Sequence, residues 1–373
     1  AGCRLLCGSF FRGAVVLLMA SVCERPPDWA AASCLDNLRQ YRDIAAREVE
    51  RVRRNLNGLS DDDKASLLRK PEEQVKAMEE AVAATLLLVE RLETLLRKES
   101  QTSAAKKTKE PGINVPVGTK PVQVLLQTLV REWSADGQQE RKACFEKLLG
   151  ALDGHVKEAG RVLIPACSVG RLAFEVASRG HSVEACESRL LHWFSMELLR
   201  QNRQAEALRP QPFALNTCNR IKFSDNHRAT PMPEVAIEDG RLPRQRFGEF
   251  ITLYDRSDAK ESFDCLLTSY ALDLSPNVFR FVRTAAHVVR PGGLWANFGP
   301  LAYDADHDEA AGHGLELSWE ELKFALSHFF EVQEEEWIDA LHAQNGESLM
   351  QMQYTCIYFK ATRNTTPAPG IGK

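Results

Sequence analysis

Arg161-Val-Leu-Ile-Pro165-Ala166-Cys167-Ser168-Val169-Gly170-Arg171-Leu172-Ala173-Phe174-Glu175-Val176-Ala177 is the stretch whose reading decides the fold. A β-rich run leads into a turn of small residues and then into a helix with apolar side chains at 172, 173, 176 and 177. Small residues in such a turn let a ligand approach the backbone closely, and the helix that follows offers its free N–H groups. A dinucleotide fingerprint would read G-x-G-x-x-G, and this turn keeps only Gly170. The unit therefore speaks weakly for NAD or FAD and better for an α/β cofactor crevice in general.

Downstream, His181-Ser-Val-Glu-Ala-Cys186-Glu187 reads as a short strand ending in an acid. A carboxylate at that place can accept hydrogen bonds from both hydroxyls of a ribose, a task shared by NAD and S-adenosylmethionine sites. Phe263-Asp264-Cys265-Leu-Leu-Thr-Ser-Tyr270-Ala-Leu-Asp273 is a further strand whose carboxyl end carries polar groups, where a crevice ligand would meet them. A helix to Val289 and the run Arg290-Pro291-Gly292-Gly293-Leu-Trp-Ala-Asn297-Phe-Gly299-Pro300 follow. Helix, Pro-Gly-Gly turn and apolar strand is how class I methyltransferases join their fourth and fifth strands.

Upstream the pattern is helical. Leu35, Leu38, Tyr41, Ala45, Val49, Val52 and Leu56 recur at steps of three and four, and Asn57-Gly58 predicts a left-handed cap. Ser60 with Asp61, Asp62 and Asp63 forms an N-cap cluster over a short helix, and Pro71-Glu72 opens a long one striped by Val75, Met78, Val82, Leu86, Val89, Leu92 and Leu96. Neither stripe keeps four strict heptads, so an antiparallel hairpin packed on a larger body is expected rather than a coiled-coil arm. The expected organisation is a leader over 1–32, a helical region over 33–98, a linker over 99–120, a catalytic domain over 121–362 and a disordered tail over 363–373. Residues 1–23 hold arginines, no acids and a short apolar run, about half of the ~20 residues that span a bilayer. They leave organelle targeting open and predict no stable membrane insertion.

The chain has 373 residues, 44% hydrophobic and 26% charged, which excludes a disordered polymer and a polytopic membrane protein. Its 47 basic and 51 acidic side chains leave a net charge of -4, which sets no global field for a polyanion, so nucleic acid is not an expected partner. Ten cysteines include no C-x-x-C pair, so no zinc or thioredoxin-type site is expected and the thiols read as reduced, consistent with a cytoplasmic protein, nuclear presence left open. His307 and His313, among Asp304, Asp306 and Asp308, lack fixed ligand spacing and predict an acidic loop over the site rather than a metal centre. Asn364-Thr365-Thr366 is a glycosylation sequon by pattern only.

From Gln127 to Phe359, with the helical region from about Ser33, the chain resembles the carnosine N-methyltransferase family. The blocks that carry the resemblance are Leu129-Val-Arg131-Glu-Trp133-Ser-Ala-Asp-Gly137, Glu140-Arg141, Ala143-Cys144, Gly170-Arg171-Leu172-Ala173, Phe263-Asp264-Cys265, Pro291-Gly292-Gly293, Gly299-Pro300-Leu301 and Leu315-Glu316-Leu317-Ser318. Pro-Gly-Gly alone is generic; its combination with Arg-Glu-Trp-Ser and Gly-Pro-Leu is not. The resemblance implies a class I methyltransferase fold, α/β and Rossmann-like, with a seven-stranded mostly parallel sheet and an N-terminal helical region. It implies S-adenosyl-L-methionine as cofactor, held by Thr128, Arg131, Ala166, Glu187, Glu249, Phe250 and Cys265. Thr128 stands where the family has glutamine, Ala166 where it has the first turn glycine, and Glu249 where it has aspartate. It places the catalytic carboxylate at Asp273 and the methyl acceptor among Asp273, Tyr270, Asp304, Met352 and Tyr354. Here Asp304 replaces a histidine and Met352 a tyrosine.

The implied reaction is methyl transfer to an imidazole nitrogen of carnosine, giving anserine, with a small-molecule substrate and a homodimer as an option. Two alternatives stay open: the same chemistry on another imidazole dipeptide or small amine, and a catalytically impaired cofactor-binding module. A nucleic-acid amine methyltransferase would carry Asn-Pro-Pro-Tyr/Phe after the fourth strand, where this chain reads Thr268-Ser-Tyr-Ala-Leu-Asp273.

Overall fold

The computed structural model describes residues 30–102, 121–238, 242–275, 277–303, 315–342 and 345–368, together with residue 26. The helical stripes fold as expected into α1 (Ala30–Asn57), α2 (Asp61–Ala65) and α3 (Pro71–Thr102). Ser60 caps α2 by accepting the Asp63 N–H at 3.1 Å. Gly58 ends α1 with its N–H on the Arg54 carbonyl at 3.0 Å. It does so without entering the left-handed region, which corrects the expected cap; the i−4 bond simply extends the helix one residue further. Leu38, Ala45, Met78, Leu92 and Leu96 are buried between α1 and α3, and their outer residues are ion-paired, as in Arg42 with Glu93 at 3.1 Å. The expected linker and leader fall mainly in residues 103–120 and 1–29, of which only residue 26 is described.

Next come α4 (Pro121–Trp133), α5 (Gln138–His155), β1 (Arg161–Pro165), α6 (Arg171–Ser178), β2 (Ser182–Glu187), α7 (Leu190–Gln201), β3 (Arg244–Phe247) and α8 (Phe250–Tyr254). The chain finishes with β4 (Phe263–Ser269), α9 (Val278–Val288), β5 (Val289–Gly299), α10 (Trp319–Ser327), β6 (Phe330–Leu341) and β7 (Gln353–Arg363). The strands form one seven-stranded sheet in the order β3-β2-β1-β4-β5-β7-β6. Pairing is parallel from β3 to β5, and β7 runs antiparallel to both of its neighbours.

Alternation along the strands builds two cores. Val162, Ile164, Cys265, Leu267, Leu294 and Ala296 face α5 and α6, while Leu163, Leu266 and Trp295 face α8, α9 and α10. Pro291-Gly292-Gly293, expected as a turn before the strand, lies within β5 as a bulge: Phe263 pairs with Val289 and Cys265 with Leu294. The helical layer is not a separate body. Residues of α1, α3, α4 and α7 share one core with Phe213, Ala214, Leu215, Met232 and Ile237 from the irregular segment after α7. That segment is fastened by Glu234, whose carboxylate pairs with Arg141 and, at 2.8 Å, with Arg171.

Gly137 explains the end of the Arg-Glu-Trp-Ser-Ala-Asp-Gly block. A Cβ there would overlap the backbone of Arg131, because the turn between α4 and α5 folds back on the last turn of α4. Gly137→Ala is therefore expected to cost about 3 kcal/mol, at the upper end for overpacking, read as a lower urea midpoint; an unchanged midpoint would show that the turn relaxes freely. At the other terminus, residues 364–368 differ from the expected disordered tail. The Asn364 N–H bonds the Phe329 carbonyl at 2.9 Å, and the Arg363 guanidinium holds the Thr366 carbonyl at 2.6 Å. Residues 369–373 lie outside the described part.

Candidate active site

β1, β2, β3 and β4 are parallel, so their carboxyl ends lie along one edge of the sheet. After β1 the chain turns through Ala166 at φ 46°, Ser168 at φ 59° and Gly170 at φ 85°. Two of these three left-handed residues carry a Cβ, so the turn keeps a glycine-type path with Gly170 as its one glycine. Ser168 also has a buried hydroxyl with no hydrogen-bond partner. Ser168→Gly is expected to stabilise the protein by about 1 kcal/mol, since relief of ~1–2 kcal/mol of left-handed strain outweighs the extra freedom glycine has when unfolded. Chemical denaturation checks this, and a loss of stability would refute the strain.

Glu187, at the end of β2, is 1% exposed. One carboxylate oxygen accepts the Ser168 N–H at 2.8 Å, and the other accepts the Arg189 N–H at 2.8 Å. The Arg189 guanidinium closes the pair with bonds of 3.0 and 2.9 Å, its side chain 42% exposed on the solvent side. Beside it, the Glu187 carbonyl accepts the Gly248 N–H at 3.0 Å, which brings the end of β3 and the exposed Glu249 to the same corner. His192, near the start of α7, is buried with an unpartnered Nε2, and burial first, then Arg189 and Arg131, push its pKa well down.

At the end of β4 stands the second half of the site. Tyr270 has φ 51° and donates its N–H to the Phe298 carbonyl at 2.8 Å. Gly299 permits this crossing, since a Cβ there would lie 3.1 Å from the Tyr270 backbone. Strained backbone of this kind persists where neighbours over-determine it and often marks a functional position. Arg131 Cζ lies 5.2 Å from the Tyr270 ring centroid, and the Arg131 guanidinium donates to Glu132 at 2.7 Å. Asp273 is 5% exposed, with Oδ2 accepting the Ala302 N–H at 2.9 Å, so the segment after Gly299-Pro300-Leu301 holds the carboxylate in place. Tyr303, nearby, has φ 43° and is buried.

Several expected residues thus lie at the carboxyl ends of the parallel strands: Ala166 after β1, Glu187 at the end of β2, Glu249 after β3, and Tyr270 and Asp273 after β4, with Arg131 against the Tyr270 ring. Tyr354 joins from β7, linked to Tyr270 through His342, and the Met352 carbonyl accepts the His342 N–H at 3.1 Å while its side chain stays 47% exposed. Others are placed differently. Cys265 is fully buried in the core on the α5 and α6 side, four residues before the end of β4, because register sets it between Val162 and Leu294 and parity turns it to that face. At the end of β4 the neighbouring cysteines are instead Cys144, 3.2 Å from Ser269 Oγ, and Cys356, 3.6 Å from the Tyr270 hydroxyl. Phe250 packs into the opposite core, 4.7 Å from Phe281, because an aromatic side chain at the start of α8 is buried under α9. Thr128 spends its hydroxyl on the Val124 carbonyl at 2.8 Å, one turn back in α4. Asp304, His307 and His313 lie outside the described residues. Among the described residues no group of three metal-type side chains is found.

Glu132, Arg189, His192, Tyr303 and His342 are site or near-site residues that sequence reasoning missed. Arg189 carries a local signal, two residues past the expected ribose acid Glu187; His342 carries none, since only the pairing of β6 with β7 brings it to Tyr354.

The strand order, the reversed β7, the left-handed turn after β1 and the buried acid after β2 define a class I methyltransferase fold. The carnosine N-methyltransferase family model matches residues 109–365, and the chain belongs to that family. It is 30% identical over 252 residues to the carnosine N-methyltransferase of Dictyostelium discoideum, covering 64% of this chain and 54% of that one. It is 28% identical over 260 residues to the mouse (Mus musculus) carnosine N-methyltransferase, covering 66% and 64%. The Drosophila melanogaster relative, carnosine N-methyltransferase unmet, is 24% identical over 354 residues, covering 86% and 76%. The chain thus spans about half to two thirds of the length of the first two relatives. Likeness to solved structures is distant, as with a Burkholderia thailandensis 1,6-didemethyltoxoflavin-N1-methyltransferase at 14% identity and TM-score 0.35, covering 68% of this chain and 93% of that one.

Proposed function

We propose that the chain is an S-adenosylmethionine-dependent N-methyltransferase acting on an imidazole nitrogen of carnosine to give anserine. The observation that carries this is Asp273: a buried carboxylate, fixed by the Ala302 N–H and three residues past the strained Tyr270, after β4 at the same edge of the sheet as Glu187 at the end of β2. The cofactor, when bound, supplies an electrophilic methyl group. The residues present suit it. Glu187 would accept the ribose hydroxyls, with the half-exposed Arg189 moving off the carboxylate, and Arg131 offers a cation at the other end of the crevice.

Toward the acceptor, Asp273 accepts the N–H of the neutral ring, which fixes the tautomer and aims the opposite nitrogen lone pair at the methyl position. As the ring becomes a cation, the same carboxylate stabilises the charge and takes the N–H proton, leaving a neutral methylated ring. Membership of the carnosine N-methyltransferase family supports this choice of acceptor. The test is a methyl-transfer panel of carnosine, homocarnosine, histidine and small amines, with products separated by mass spectrometry. Carnosine is expected to give the highest kcat/KM. A better amine or another dipeptide would reassign the acceptor, and binding of S-adenosylhomocysteine with no product anywhere would make the chain a binding module.

A further inference from the structure

His342 stands where the β6 to β7 hairpin leaves the sheet. Its ring centroid is 5.1 Å from that of Tyr270, tilted by 38°, and 5.3 Å from that of Tyr354, edge-on at 73°. Tyr270 in turn carries Arg131 at 5.2 Å and Cys356 Sγ at 3.6 Å from its hydroxyl. Side chains from α4, the end of β4, the end of β6 and β7 therefore form one connected row from the cofactor-side arginine to the last strand of the chain.

The backbone of His342 is pinned. Its N–H bonds the Met352 carbonyl at 3.1 Å, and Asn345, three residues on, bonds the Asp225 carbonyl at 3.1 Å and Asn226 Oδ1 at 2.8 Å. The ring is thus held by packing and by an anchored loop, yet its Nδ1 is buried and meets no hydrogen-bond partner. A buried polar atom without a partner is unfavourable unless a ligand completes it. Burial, and then the Arg131 charge, lower the imidazole pKa to about 4, so the ring is neutral near pH 7 and retains an acceptor nitrogen.

We infer that His342 is an acceptor-binding residue: Nδ1 hydrogen-bonds the methyl acceptor, and the ring forms with Tyr270 and Tyr354 an aromatic wall selecting a small planar nitrogen heterocycle. The inference rests on the methyltransferase reading above and adds a residue to it. Asp273 holds the reacting ring from the end of β4, and His342 holds the acceptor from the hairpin side.

Two variants separate the nitrogen from the ring. His342→Phe keeps the aromatic surface and removes both nitrogens; His342→Asn keeps a short polar group near the Nδ1 position and gives up the ring. With carnosine, His342→Phe is expected to raise KM about tenfold, the worth of one modest hydrogen bond, with kcat changed by less than about threefold. His342→Asn is expected to recover part of that KM. S-adenosylhomocysteine affinity by calorimetry should stay within about threefold of wild type in both variants. A His342→Phe enzyme with wild-type KM and a His342→Asn enzyme with raised KM would show that only ring packing counts, and would overturn the inference. Should wild type methylate no carnosine, the carnosine reading falls, and His342 is then scored by calorimetric binding of imidazole, histidine and homocarnosine to the protein with S-adenosylhomocysteine. A matching affinity loss in His342→Phe upholds the role; no loss, or no binding by wild type, overturns it.

Discussion

Asp273→Asn is expected to lower kcat for methyl transfer by about 10²–10⁴-fold, the usual contribution of a positioned acid or base. The substitution is nearly isosteric, and the amide oxygen can still accept the Ala302 N–H that Asp273 Oδ2 accepts at 2.9 Å. Folding and the path of the chain after Gly299 are therefore kept. The charge is lost, and with it the ability to take a proton from the acceptor ring and to oppose the cation that alkylation creates. A thermal melt close to wild type, unchanged S-adenosylhomocysteine affinity and a collapsed kcat are the expected triad. A kcat within about threefold of wild type would remove Asp273 from the chemistry.

Glu187→Gln carries the second large effect, on binding rather than turnover. The Glu187 carboxylate is buried and takes the Ser168 N–H at 2.8 Å, which stabilises the left-handed turn, while its other contacts go to Arg189. A glutamine offers one acceptor oxygen where a ribose diol needs two, and its amide group opposes the Arg189 guanidinium. Hydrogen bonds to a charged group contribute ~1.5–3 kcal/mol each, so the S-adenosylhomocysteine Kd is expected to rise about 100-fold or more. Calorimetry reads this directly. An unchanged Kd would mean that Arg189 remains on the acid when the cofactor analogue binds, and that the ribose is held elsewhere.

What the sequence made legible was local. The β1-turn-α6 unit, the acid at the end of β2 and both helical stripes depend on residues within a turn or a strand of one another, where periodicity and capping chemistry act. The β6 to β7 hairpin was hidden because β6 is an edge strand whose exposed positions carry Glu331, Glu334, Glu335 and Glu336, a pattern without a buried face. Its acids are instead spent on cations across the surface, Lys360 with Glu334 at 2.9 Å among them.

The site divides the same way. Arg131, Glu187 and Asp273 follow short motifs, and the structure sets Glu187 and Asp273 at the carboxyl ends of β2 and β4, with Arg131 against Tyr270. Cys265 and Phe250 follow motifs too, but side-chain direction along β4 and packing at the start of α8 put them in the two cores, which spacing alone does not report. His342 reaches Tyr270 and Tyr354 only through antiparallel pairing and an anchored loop, so no local pattern marks it. Ser168 stands in a left-handed turn that sequence reading assigns to glycine.

The most direct test of the account supplies S-adenosylmethionine with an isotope-labelled methyl group, together with carnosine, and locates the label in the product by NMR. The account predicts the label on a ring nitrogen of the histidyl group, in a product identical to anserine. Label on the amino terminus, or in no product while the cofactor analogue still binds, would contradict it.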